Sequence, residues 1–224
     1  MQHHVENIIS LLEQHRNKDL AVKMSAYMRN QFSFLGIQSP LRKQLLQEYY
    51  TIYGKFAIDE LEPIVLNLWE QKEREYQYFA LDILSHHKKQ LMPSHIEFLE
   101  NLIITYSWWD TVDSIAPNHI GTVFLKYPDL KQEYLYRWNQ SQNIWLNRTT
   151  LIFQLRYKEK TSFNLMKEMI EPLKNSSEFF IKKAIGWALR EYSKTEAQEV
   201  FLYVQKACLS NLSQKEALKF ISSL

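Results

Sequence analysis

Apolar residues recur every three or four positions along almost the whole chain, the spacing of helices that bury one face. In the first such stretch Val5, Ile8, Ile9, Leu11 and Leu12 make a stripe. A second covers 21–32, with Met24, Tyr27 and Met28 one turn apart. The run Leu35-Gly36-Ile37-Gln38-Ser39-Pro40 breaks the pattern, and Ser39 with Pro40 predicts an N-cap and a first helical position. Further helices are predicted at 41–53, 58–70, 72–88, 94–106, 107–126 (interrupted near Pro117), 129–139, 142–157, 161–173, 177–192, 195–208 and 213–222. β-Branched residues are scattered through these helical patterns, so no strand is predicted and the fold class is all-α.

The pattern also repeats at longer range. The stretch from Trp145 to Tyr157 matches the stretch from Phe180 to Tyr192 at an offset of 35 residues. Steps of the same length lead from Lys183 back to Arg148, Asp113 and Tyr78. A period of this size, carried by paired helices, indicates an α-solenoid. The tetratricopeptide pattern is absent, so the expectation is one domain of HEAT-like repeats over 1–224, curved, with equivalent helices lining its concave face. In that register Asp113, Arg148 and Lys183 come from successive repeats and share a groove. Trp109 and Trp187 stand one turn before and one turn after their reference positions.

Composition narrows the setting. With 46% hydrophobic and 23% charged residues the chain has globular values, while four glycines leave no room for a Gly-rich phosphate loop. One cysteine, Cys208, excludes an internal disulfide framework and suits a reducing compartment. No secretory leader and no membrane-length apolar run is seen, so a cytoplasmic protein is expected. The paired histidines His3-His4 and His86-His87 have poor geometry for shared coordination, so neither a metal nor a cofactor is expected. Net charge is only +2 but unevenly spread. Residues 58–75 hold six acids against two bases, whereas 142–194 hold ten bases against five acids. Such a distribution suits local anchoring on a polyanion.

One stretch departs from ordinary amphipathic helix. Ser107-Trp108-Trp109-Asp110-Thr111-Val112-Asp113-Ser114-Ile115 carries two adjacent indoles and two carboxylates. In a helix Trp109 and Asp113 lie at i and i+4, on one face. An indole beside a carboxylate is a poor core patch and a plausible receptor for something flat and cationic. Read without further context, the same acid also fits a helix cap or a surface charge, and the tryptophans fit a core. Trp69, Trp108, Trp138 and Trp145 are assigned to the core on that ground.

The 107–115 run resembles the signature of the AlkD family of DNA alkylation repair proteins. So do Asn143-Ile-Trp-Leu-Asn-Arg148, the Phe-Gln-Leu-Arg-Tyr run ending at Tyr157, Phe180-Ile-Lys-Lys-Ala-Ile-Gly-Trp187-Ala-Leu-Arg-Glu, and Met28-Arg-Asn-Gln-Phe-Ser-Phe-Leu-Gly-Ile-Gln-Ser-Pro40. The resemblance spans nearly the whole chain with its spacing preserved. It implies a HEAT-like fold and a monofunctional DNA glycosylase that removes N3- and N7-alkylated, cationic purines from double-stranded DNA without a base-flipping pocket. It places the catalytic acid on Asp113, groove tryptophans on Trp109 and Trp187, a groove arginine on Arg148, and duplex contacts near Tyr27 and Gln38. The chain keeps the N-terminal helical region that some inactive relatives lack, which favours the excising branch.

Cleaving such a glycosidic bond builds positive charge on the sugar, so the requirements are a fixed anion near C1′ and a placed water. Asp113 is expected to supply both, Trp109 and Trp187 to face the cation, and Arg148 to clamp a phosphate, to pair with Asp113, or to do both. Arg42, Lys43, Lys182, Lys183 and Arg190 are expected phosphate anchors, and a monomer is expected. Two other readings stand beside this one: a noncatalytic HEAT-like module that recognises DNA structure, and a protein-binding solenoid.

Overall fold

The computed structural model describes residues 2–221. Among them every regular element is helical, and one isolated bridge between Ser33 and Glu73 is the sole β feature. The chain divides into two compact units, Met1–Gln90 and Leu91–Leu224.

The first unit holds α1 (Gln2–Glu13), α2 (Lys18–Tyr27), α3 (Ser39–Tyr53), α4 (Ile58–Trp69) and α5 (Arg74–His87). Its core is built from the helix stripes, including Ile8, Leu12, Leu45, Ile64, Leu68 and Phe79, all essentially without solvent exposure. α2 differs, burying none of its residues. It ends at Tyr27 rather than near residue 32, because Arg29 and Asn30 turn left-handed at φ 55° and 56° and the Asn30 N–H closes on the Ser25 carbonyl. At α3 the expected cap is displaced by one residue. Ser39 is the first helical residue, and Gln38 takes the extended cap position.

The loop leading into α3 is fastened from three sides. Leu35, Gly36 and Ile37 donate their N–H groups to the buried Glu75 carboxylate at 2.8, 2.8 and 3.0 Å. The Leu35 carbonyl accepts from Asn17, and Ser33 accepts from the Arg74 N–H. Gly36 sits at φ +92°, and a Cβ there would stand 2.0 Å from the Asn17 carbonyl oxygen. Only glycine meets both demands.

The second unit holds α6 (Ile96–Ile104), α7 (Trp109–Ile115), α8 (Gly121–Lys126), α9 (Leu130–Asn139), α10 (Ile144–Ile152), α11 (Phe163–Ile170), α12 (Phe179–Tyr192), α13 (Ala197–Lys206) and α14 (Asn211–Leu218). The interruption expected near Pro117 is a π turn over Ala116–Ile120 that joins α7 to α8. Proline lacks an N–H and its ring crowds the carbonyl four residues back, and the wider turn accommodates both. The Asn118 side chain donates to the Ser114 carbonyl at 2.7 Å. α10 stops at Ile152, five residues before the expected end: beyond it the Leu155 and Tyr157 N–H groups close tight turns onto the Ile152 and Gln154 carbonyls, and the Gln154 side chain exchanges hydrogen bonds with Ser162. The last predicted helix begins two residues earlier than expected and its described part closes at Leu218; residue 222 lies outside the described residues.

The 35-residue repeat is written in the helix starts. α3, α5, α7, α10 and α12 open at Ser39, Arg74, Trp109, Ile144 and Phe179, each 35 residues after the one before. The residue preceding each is extended in every case. Lys43, Tyr78, Asp113, Arg148 and Lys183 are therefore equivalent, each the fifth residue of its helix.

Candidate active site

The site is built where two of these equivalent positions meet. Asp113 on α7 receives both arms of Arg148 on α10, Nε to Oδ1 at 2.7 Å and Nη2 to Oδ2 at 2.8 Å. The remaining nitrogen, Nη1, donates to the Phe180 carbonyl in the first turn of α12. Arg148 is thereby held by three helices and is almost fully buried, its side chain 5% exposed, whereas that of Asp113 keeps 17%. A bidentate pair of this kind fixes the carboxylate plane. The side chain of Asp113 nevertheless stays partly accessible to solvent.

Burial pushes the Asp113 carboxyl up, the hydrogen bond and charge of Arg148 pull it down, the charge of Asp110 adds to the rise, and the balance lies above the ordinary value. The paired guanidinium thus favours the ionised form of a carboxyl whose burial favours the neutral one. Each of its oxygens retains a lone pair beyond the one used by Arg148.

Aromatic side chains support the pair. Trp108 packs against Trp145 and Phe180 at ring separations of 5.7 and 5.1 Å, and Trp145 meets Phe180 at 5.1 Å. Trp69, Trp138 and Trp145 are buried as expected, but Trp108 is half-exposed and its buried Nε1 has no hydrogen-bond partner. Trp109, one turn before Asp113, and Trp187 on α12 are likewise half-exposed.

The other candidates fall in different surroundings. Lys183 does not join the Asp113–Arg148 pair. It meets Glu216 of α14 at 2.6 Å, and Arg190 is paired with the same carboxylate. Lys182 is half-exposed. In the first unit Tyr27, Gln38 and Lys43 are exposed. Arg42 is not: it is buried, ion-paired with Asp82 at 2.6 Å and placed over the Tyr78 ring. Glu216 and the Phe180 carbonyl are the groups that sequence reasoning missed. No residue-type signal marks a carbonyl, and Glu216 lies in a helix out of phase with the repeat.

Among the described residues no group of three or more His, Cys, Asp or Glu side chains is placed to hold a metal ion. His87 turns both ring nitrogens to backbone carbonyls, of Ile83 and Phe56. No described helix is long and apolar enough to cross a membrane.

Comparison with known proteins agrees with this architecture. The family described as DNA alkylation repair enzyme matches residues 8–221. A solved structure from Enterococcus faecalis, described as a predicted DNA alkylation repair enzyme, is 32% identical with a TM-score of 0.86, covering 93% of this chain and 98% of its own. Two from Streptococcus mutans share the fold. AlkD2 has a TM-score of 0.62 at 17% identity, covering 89% of this chain and 98% of its own. The protein smu.31 has a TM-score of 0.59 at 15% identity, covering 93% and 98%. No curated protein matches the chain.

Proposed function

The chain belongs to the DNA alkylation repair enzyme family, and from that premise we propose that it is a monofunctional glycosylase acting on N3- and N7-alkylated purines in duplex DNA. The observation that carries this reading is the Asp113 carboxylate, fixed in orientation by Arg148 yet partly accessible to solvent, a single turn from Trp109.

Alkylation leaves the purine positively charged. As the bond from C1′ to the base nitrogen breaks, its electron pair goes to the base and neutralises it, and the positive charge moves to the sugar. The Asp113 carboxylate faces that charge and accepts a hydrogen bond from the attacking water on a lone pair that Arg148 does not use. Water oxygen bonds to C1′ and the proton it gives up leaves by way of the carboxylate to solvent. The buried guanidinium contributes indirectly, holding the carboxylate ionised and aimed. Trp109 and Trp187 present indole faces to the developing cation, a contact worth about 2 kcal/mol when desolvated. Among the described residues the hydrogen bonds of Asp113 and Arg148 involve no lysine, which supports an abasic site as the product, without strand cleavage by a Schiff-base route.

A noncatalytic DNA-gripping module draws on one observation, that Arg148 already occupies both Asp113 oxygens. Base release separates the two readings. The wild-type chain is expected to free 7-methylguanine and 3-methyladenine from methylated duplex and to release little neutral ethenoadenine. Asp113→Asn is expected to lose at least about 100-fold in release while retaining DNA binding. No release by the wild type, equal release by the variant, or comparable rates on ethenoadenine would overturn the proposal.

A further inference from the structure

α12 carries a glycine in its interior, where alanine would favour the helix. The reason lies across the contact with α14. A Cβ on Gly186 would stand 2.4 Å from the Glu216 Cβ and 2.8 Å from the Ser213 carbonyl oxygen. Ser213 also donates from its hydroxyl to the Lys182 carbonyl, pinning the two helices together. This close approach brings the Glu216 carboxylate between two cations of α12 that are two turns apart. Lys183 lies at 2.6 Å from Oε2 and Arg190 on Oε1, and Lys219 of α14 adds a third contact at 2.9 Å.

Neutralising one buried carboxylate takes one cation. Three are gathered here, leaving a surplus of two positive charges held together against their own repulsion. The carboxylate is nearly sealed, its side chain 5% exposed, whereas those of Lys183, Arg190 and Lys219 keep 36%, 29% and 51%. The charged ends of the three cations converge on this sealed anion while much of their side chains stays accessible. Burial opposes ionisation of Glu216, but the hydrogen bonds from Lys183 and Lys219 and the charges of Arg190 and Lys183 bring its pKa down to about 2, so it stays charged at any working pH. Trp187 belongs to the same face of α12, four residues after Lys183 and three before Arg190.

We propose that Glu216 is a positioning residue that presets Lys183, Arg190 and Lys219 as a seat for consecutive backbone phosphates of the DNA strand passing Trp187. This inference rests on the proposed function in taking DNA as the ligand. Freely moving lysines lose side-chain entropy on gripping a phosphate, and an internal anion that has already ordered them removes part of that loss.

The test uses the full chain, a labelled undamaged duplex of about 25 base pairs, and Glu216→Gln. Summed charge alone predicts tighter binding, because the variant is one unit more positive. Positioning predicts the opposite, binding weaker by roughly five- to tenfold with a shallower dependence on salt. Lys219→Ala, which removes an exposed side chain without disturbing the helix contact, should weaken binding by about two- to threefold and lower the salt slope by about one. It keeps the test decisive if Glu216→Gln melts early. Equal or tighter binding by Glu216→Gln at an unchanged melting temperature overturns the inference alone, as does unchanged affinity of Lys219→Ala. Displacement of the duplex by inorganic phosphate, at ionic strength matched with chloride, also overturns it in favour of a free-phosphate site. A wild-type chain that does not bind duplex overturns the proposed function as well.

Discussion

At the scale of the residue, Asp113 is held between burial, which favours its neutral form, and Arg148, which favours the charged one. Chemistry through the ionised carboxylate is lost on acidification, and because the balance lies above the ordinary value, the loss begins at a higher pH than an exposed aspartate would give. For stability the sign is reversed. A carboxyl whose folded pKa is raised favours the fold below that pKa and costs stability as pH rises through it. Arg148→Ala removes the influences that lower the pKa and leaves a buried anion without its partner. Single-turnover base release between about pH 4 and 8 should show the acid limb moved upward, and the melting temperature should fall by an amount corresponding to about 3–5 kcal/mol. A limb that stays in place would mean that Asp113 is not the titrating group.

At the scale of the element, the loop before α3 shows what a glycine is for. Gly36 and Gly54 both have positive φ, yet a Cβ at Gly36 meets the Asn17 backbone while one at Gly54 meets nothing within 4 Å. Gly54→Ala should therefore cost about 1 kcal/mol for the backbone conformation alone. Gly36→Ala should cost roughly 3 kcal/mol, since backbone must move as well. Chemical denaturation of the two variants measures the difference, and equal losses would show that the close approach is unimportant. Most helix starts and ends were legible to within two or three residues because apolar spacing fixes them locally; the ends of α2 and α10 were not. Neither Arg29 nor Asn30 advertises a left-handed turn as glycine would, and no glycine or proline marks the tight turns at Leu155 and Tyr157 that follow α10. Pro117 announced a break but not the π turn that absorbs it. The Asp113–Arg148 pair was legible through the 35-residue offset. The Lys183–Glu216 pair was not, because α14 opens only 32 residues after α12 and falls out of step.

At the scale of the whole molecule, a net charge of +2 conceals an arrangement that repeats. Five helices offer the same place, their fifth residue, and fill it with Lys43, Tyr78, Asp113, Arg148 and Lys183. The scaffold supplies the address and the sequence supplies the letter, so the two neighbours that touch are in principle interchangeable. A transposed variant, Asp113→Arg with Arg148→Asp, would keep opposite charges within reach and should melt above either single change, as a double-mutant cycle would reveal. It would also carry the acid one helix away from Trp109, and release of 7-methylguanine should vanish. What makes this molecule sturdy and what makes it reactive would then come apart: the bond survives a change of places, and the chemistry does not.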